Sequence, residues 1–230
     1  MTEEKLIKFI LSLSVAIPAV VGLLRIRQIH PAYYPFLVYL MVSLLNELLV
    51  GLVLINFSKE SRIINWSLFN LFEGLILLVQ FYGWKLFEHN KSIFVSLLIL
   101  FAGIWLLENF VWSDIYSFNA LFIIGCSFVL VLLSIQTINH IIVHQSRSPL
   151  SRNAIFIICV TLIIYFVYNI FVYTLQAKGI GRTDKLLMNK VFSIKVYVNT
   201  VTNLLFGIAV FLIPFKNKSL HFFYGPDSKK

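Results

Sequence analysis

Seven apolar runs, each of about 20 residues, follow one another along the chain and are separated by short polar segments. A helix needs about 20 mostly apolar residues to cross a hydrocarbon core of about 30 Å. Because backbone polar groups in lipid must be satisfied within the protein, the pattern predicts an all-α fold, a polytopic bundle of seven transmembrane helices in a single domain. The predicted spans are 6–24, 34–55, 66–84, 93–112, 118–138, 155–175 and 196–213, followed by a short basic tail at 214–230.

The composition of the 230-residue chain agrees with a membrane protein. Hydrophobic residues make up 59% of it and charged residues 13%, whereas a soluble domain is about 45–50% apolar and about 25% charged. These values exclude a water-soluble globule and a disordered chain. The net charge of +9 comes from Lys and Arg between the apolar runs, where cations serve topology and lipid headgroups. We therefore expect the lipid bilayer as a partner, and no nucleic acid.

The distribution of cations between the two sides gives a weak prediction of orientation. Nine Lys and Arg residues lie on the side of the N-terminus and ten on the opposite side, but five of the nine lie in the connection Gln176–Lys195. Without these five the balance is four against ten, which favours an outside N-terminus and a cytoplasmic C-terminus by the positive-inside rule. The expected location is a bacterial inner membrane.

The connection Gln176–Lys195 is the longest between two predicted spans. It contains Gly179 and Gly181, followed by the stretch KLLMNKVF at 185–192, which as a helix would be basic on one side and apolar on the other. Such a stretch is typical of a short interfacial helix. If it lies outside, it is a candidate lid or ligand-facing element, and if it is cytoplasmic, it is an ordinary topology signal.

Two acidic residues fall inside predicted spans. Glu47 lies near the middle of the second span and Glu73 near the middle of the third. An ionisable group at this depth costs several kcal/mol on insertion scales, so it usually faces the bundle interior and marks function. Consecutive spans joined by a short loop usually pack as antiparallel neighbours, which allows the two carboxylates to approach each other. No Lys or Arg is expected at comparable depth, because Lys195 is predicted at the membrane edge.

Further polar residues accompany the two acids at helical spacing on the second, third, sixth and seventh spans. The resulting candidate ligand or proton site consists of Glu47, Glu73, Asn46, Asn70, Gln80, Tyr165, Asn169, Asn199 and Asn203. The alternative is that these groups only hydrogen-bond between helices, at about 0.6–2 kcal/mol each. Carboxylates that face each other across a cavity would favour a functional site, whereas carboxylates buried singly against Asn or Tyr would favour a structural role.

Other chemistry has little support in the sequence. His140 and His144 are four residues apart at the end of the fifth span and could share a metal, but no third ligand is apparent. Glu108, near the end of the fourth span, is expected to reach the headgroups. The sequence contains no zinc-protease, nucleophile-elbow or phosphate-loop motif. We therefore expect no cofactor, and the sequence disfavours an enzyme.

Five short segments resemble a group of uncharacterised seven-helix membrane proteins common in Bacteroidota. The segments are YLMVSLLNE at 39–47, LFNLFE at 68–73, YSFN at 116–119, IYFVYN at 164–169 and NTVTNLLFGI at 199–208. The resemblance implies seven spans and draws attention to Glu47 and Glu73. It implies no activity.

Besides an intramembrane enzyme that uses the two carboxylates as acid and base, which ranks last, three functions remain open. The first is a sensor of receptor-like type, which binds a small apolar or amphipathic ligand among the polar spans and signals to a separate cytoplasmic or membrane partner. The second is a transporter or proton-coupled carrier in which Glu47 and Glu73 titrate. The third is a structural subunit of a membrane complex.

Overall fold

The computed structural model describes residues 3–53, 58–112, 120–144, 149–176 and 185–216. These residues form helices and no β-strand. The α-helices are α1 (Glu3–Ser12), α2 (Ala16–Arg25), α3 (Tyr34–Leu48), α4 (Lys59–Gly83), α5 (Lys91–Leu106), α6 (Leu121–His144), α7 (Ala154–Gln176) and α8 (Lys185–Leu212). A single 3₁₀ turn, Leu13–Val15, joins α1 to α2, and π-helical turns extend α3 over Leu49–Val53 and α5 over Leu107–Trp112.

Six of the helical segments are long and apolar enough to cross a membrane. They are Pro31–Val53, Lys59–Gly83, Lys91–Trp112, Leu121–Val143, Ala154–Gln176 and Lys190–Leu212. A shorter apolar stretch, Phe9–Arg25, precedes them and consists of the end of α1, the 3₁₀ turn and α2. We call α1 and α2 together the N-terminal helix, and it packs against α3 and α8. The predicted all-α polytopic bundle is confirmed.

The final helix begins earlier than the sequence pattern predicts. α8 starts at Lys185 instead of position 196, so Lys185–Lys195 forms its first turns. The short helix expected in this stretch is the beginning of α8 and not a separate element. Residues 177–184 lie outside the described residues, so the choice between a lid and a topology signal stays open. A helix can continue past the apolar run because long Lys side chains extend toward the headgroups while their stems stay in apolar surroundings.

The helices form a closed ring. α3 packs against α4, α6 against α7, and α7 against α8, while α2 contacts both α3 and α8. α4 also contacts α5 and α6. The expected antiparallel pairing of the second and third spans is present, and the Asn65 side chain donates a hydrogen bond of 2.8 Å to the Asn46 side chain across it. Polar side chains of α3, α4, α7 and α8 therefore meet in the bundle interior.

One end of the bundle, which we call the closed end, is held together by backbone pairing and by a half-buried cation. Ile29 and Phe215 form an antiparallel bridge there. The Arg25 guanidinium donates hydrogen bonds of 2.6 Å to the carbonyl oxygens of Val210 and Phe211, at the C-terminus of α8. A cation is favourable at this position because the last carbonyl groups of a helix lack partners within it. Arg25 therefore fastens the first membrane helix to the last.

Glu108 does not reach the headgroups as expected. It is 4% exposed and lies in the π-helical turn that follows α5. Its two carboxyl oxygens accept hydrogen bonds from the backbone N–H groups of Leu121 (2.8 Å) and Phe122 (2.7 Å). The first N–H groups of a helix have no partner within it and attract negative charge. Glu108 therefore caps the buried start of α6 from a neighbouring helix.

Candidate functional site

A polar cavity lies at mid-height of the bundle, where it is bounded by the N-terminal helix, α3, α4, α7 and α8. Its volume is about 50 Å³. The lining residues are Ser12, Val15, Tyr39, Ser43, Glu47, Phe69, Tyr165, Asn199, Thr202, Asn203 and Phe206. A water molecule needs at least about 10–15 Å³, whereas small-molecule pockets measure about 300–1,000 Å³. The central cavity thus has room for a few water molecules and not for an amphipathic ligand.

The two membrane-embedded acids occupy different positions relative to this central cavity. Glu47 lines it, and its carboxyl group lies beside the Ser12 side chain. Glu73 is 3% exposed, and its carboxyl group lies beside the side chains of Tyr39 and Tyr165. The Glu73 Oε1 atom has no hydrogen-bond partner among the described residues. Because Tyr39 and Tyr165 line the cavity, they separate Glu73 from it.

Glu47 and Glu73 do not face each other directly. The Asn65–Asn46 hydrogen bond sets the register of α3 against α4. Glu73 follows Asn65 by eight residues, which is about 12 Å along the helix axis at about 1.5 Å per residue. Glu47 is adjacent to Asn46, so the two acids lie at different depths. The arrangement is intermediate between the two expectations, since Glu47 lines a cavity and Glu73 is buried against tyrosines that form its wall.

Lys195 interacts with the two acids from the end of the bundle at which α8 begins. It lies about three turns into α8, because that helix begins at Lys185. Its ammonium group interacts electrostatically with Glu47 and Glu73. It also donates a hydrogen bond to the Tyr173 hydroxyl and lies 4.3 Å from the centre of the Tyr173 ring. Among the described residues no salt bridge joins Lys195 to either acid, so the absence of a cation at the depth of the acids stays a prediction.

Three residues of α7 form a polar row between Glu73 and Lys195. Tyr165, Asn169 and Tyr173 are spaced by four residues, so they share one face of the helix. The Tyr165 and Asn169 side chains lie beside each other, and Asn169 is 3% exposed. Asn169 Oδ1 has no hydrogen-bond partner within the part of the chain that the structure describes. The row connects the middle of the bundle with the end at which α8 begins.

Other predicted site residues make structural contacts. Gln80 is fully buried, accepts a hydrogen bond of 2.7 Å from the Phe36 N–H group and donates one of 2.7 Å to the Ala32 carbonyl. Gln80 therefore caps the start of α3. The Asn70 side chain donates a hydrogen bond of 2.6 Å to the Trp66 carbonyl on its own helix.

Polar residues of α8 contact the N-terminal helix or the central cavity. The Asn203 side chain donates a hydrogen bond of 2.9 Å to the Ser14 hydroxyl, and both Asn199 and Asn203 line the cavity. Sequence reasoning missed Ser12 and Tyr39. Tyr39, Ser43 and Glu47 share a face at four-residue spacing, which is a signal that could have identified Tyr39. Nothing local in the sequence indicates Ser12.

A metal site at the end of α6 has no structural support. Within the described residues, no group of three or more potential ligands could hold a metal ion. His140 lies on α6, and the His144 side chain is outside the described part of the structure.

Comparisons with known proteins identify no relative. No protein-family model, curated protein or solved structure matches the chain. The resemblance to the Bacteroidota group stays a prediction. The geometry of the buried polar groups is thus the basis on which a function can be proposed.

Proposed function

We propose that the protein is a proton-coupled carrier in which Glu73 binds the transported proton. The observation that supports this proposal is the environment of Glu73, which is deeply buried, lies beside two tyrosine side chains and retains one carboxyl oxygen without a described partner. Both oxygens of the structural carboxylate Glu108 accept backbone N–H groups. Because buried polar atoms are usually satisfied, an unused oxygen at mid-membrane suits a group that exchanges protons.

The central cavity supplies the remaining parts of this proposal. Its volume of about 50 Å³ suits water molecules that carry a proton between Glu47 and the tyrosines beside Glu73. Lys195 interacts electrostatically with both acids, so a positive charge is available beside the proposed proton path. A cavity that is polar yet too small for a solute is consistent with an occluded state of a carrier.

Proton movement by the purified protein tests the proposal. Liposomes would enclose a pH-sensitive dye, and potassium with valinomycin would fix the membrane potential while a pH gradient is imposed. Carboxylates, phosphates and sugars would be added one at a time as candidate transported solutes. With a solute that the protein carries, we expect the wild-type protein to dissipate the pH gradient faster than protein-free liposomes do. Glu73→Gln is expected to reduce the rate to that of protein-free liposomes, because an amide cannot bind and release the proton.

Glu88→Gln is the matched control, since Glu88 is exposed in the loop after α4 and its substitution should leave the rate unchanged. Infrared spectroscopy adds a second readout, because the C=O stretch of a protonated carboxyl group should titrate in the wild type and be absent from Glu73→Gln. If this band titrates but the protein moves no protons, Glu73 binds a proton as part of a switch and the protein is not a carrier. If neither signal depends on Glu73, a structural subunit is favoured, which should co-purify with a partner.

A sensor is the second candidate, and irregular turns beside the cavity favour it. The 3₁₀ turn Leu13–Val15 directly follows Ser12, and the π-helical turn Leu49–Val53 begins two residues after Glu47. Such turns often occur at functional sites and at hinges. A change at the Ser12–Glu47 contact could therefore shift α1 against α3. A sensor predicts that Glu47→Gln alters binding of a signalling partner in the absence of any transport.

We further propose that the N-terminus faces outward and the C-terminus lies in the cytoplasm, as the cation distribution favours. Glu60→Cys and His89→Cys place single exposed thiols at opposite ends of α4, whereas Cys126 and Cys159 are buried. A membrane-impermeant maleimide should label Glu60→Cys in intact cells and label His89→Cys only after permeabilisation. The reverse labelling pattern would invert the orientation.

A further inference from the structure

A second and larger cavity lies at the end of the bundle where α4 and α8 begin and α7 ends. Its volume is about 510 Å³, which falls within the range of about 300–1,000 Å³ that is common for small-molecule sites. The residues that line it are Lys59, Arg62, Ile63, Trp66, Tyr173, Gln176, Phe192 and Lys195. We call this cavity the basic pocket.

The charge of the basic pocket is positive. Lys59, Arg62 and Lys195 contribute three cations, and none of the lining residues that the structure describes is acidic. Lys59 and Arg62 are exposed, so a ligand can reach them, whereas Lys195 is held by the hydroxyl and the ring of Tyr173. Arg and Lys are the side chains that most often bind phosphate in proteins. The pocket therefore favours an anionic head.

The rest of the wall is mainly apolar and aromatic. Trp66 and Tyr173 have ring centres 5.4 Å apart, and Phe192 lies on the α8 side. Gln176 adds a single acceptor, because its Oε1 atom is buried and has no hydrogen-bond partner in the described ranges. A ligand that matches this wall has an apolar part, and a hydroxyl group beside its anionic head would satisfy Gln176.

We propose that the basic pocket binds a phosphate-bearing amphiphile. The phosphate lies among Lys59, Arg62 and Lys195, and the apolar part packs against Trp66 and Phe192. Basic pockets between membrane helices bind anionic lipid headgroups, an arrangement best known on the cytoplasmic side. The orientation proposed above places the basic pocket on the outer side, where an anionic lipid of the outer leaflet can reach it. The same chemistry is offered by an anionic phospholipid of the bilayer and by a soluble aromatic phosphate. This inference does not depend on proton binding by Glu73.

Binding measurements with the full chain test the inference. The protein would be placed in nanodiscs of phosphatidylcholine and titrated with short-chain phosphatidic acid or with phenyl phosphate, and native mass spectrometry would count the bound ligand. The double variant Lys59→Gln/Arg62→Gln should weaken binding by about 25-fold, since each cation near an anionic head contributes about a fivefold gain. Both side chains are exposed, so the fold should persist.

The double variant Arg152→Gln/Lys216→Gln is the matched control, because it removes two exposed cations at the closed end. It should bind as the wild type does. If only phosphatidic acid binds, and its binding requires Lys59 and Arg62, the ligand is a lipid of the bilayer. If phenyl phosphate also binds with the same requirement, the ligand is a soluble phosphate. Equal affinity for short-chain phosphatidylcholine, or binding undiminished in Lys59→Gln/Arg62→Gln, would overturn the inference. Glu73→Gln should keep the affinity, so failure here leaves the carrier proposal intact.

Discussion

Glu108→Ala is expected to lower the free energy of unfolding by about 3 kcal/mol, because a hydrogen bond to a charged group contributes about 1.5–3 kcal/mol and two are lost. The variant leaves the N–H groups of Leu121 and Phe122 without their acceptor at the start of α6. Glu108 is 4% exposed, so bulk solvent cannot easily replace the carboxylate. Denaturant unfolding in detergent, followed by the fluorescence of the four Trp residues, measures the loss.

Two controls separate capping from a general effect of the substitution. Glu108→Gln keeps one acceptor oxygen but presents an N–H₂ group to the second backbone N–H, so it should be intermediate in stability. Glu88→Ala removes an exposed carboxylate outside the bundle and should change stability by less than about 0.5 kcal/mol. Equal stability of Glu108→Ala and the wild type would show that α6 does not require this cap.

Gln80→Leu is expected to destabilise the protein by about 2–4 kcal/mol, because two buried polar groups lose their partners at about 1–3 kcal/mol each. These groups are the Phe36 N–H and the Ala32 carbonyl at the start of α3. Leu has nearly the volume of Gln, so the change tests hydrogen bonding more than packing. The same unfolding assay measures the loss.

Gln136→Leu makes the identical change at an exposed position of α6. On a membrane-facing surface an apolar side chain is favoured, so this control should be neutral or stabilising. A loss of similar size in both variants would contradict the capping role of Gln80. A loss of stability confined to Gln80→Leu would show that Gln80 has a structural role. The sequence pattern had instead assigned it to the candidate ligand or proton site.

The polar residues of the spans could be found from sequence, but their roles could not. Glu73 and Gln80 are seven residues apart, which is about two helical turns, so they lie on the same face of α4, and both are buried. Gln80 bonds to backbone groups of α3, whereas Glu73 contacts tyrosines of α3 and α7. Each outcome depends on which groups the neighbouring helices present at that depth. Periodicity within one helix carries no such information.

The sequence by itself determined the all-α membrane fold and which polar residues fall inside the apolar runs. Both follow from local properties, because the length of an apolar run and the cost of a polar group in lipid are decided within one segment. The tertiary structure decided which residues cap helices, as Arg25, Gln80 and Glu108 do, and which face the central cavity. It also brought Lys195 near Glu47 and Glu73. These contacts join distant segments, and helix register and packing determine them.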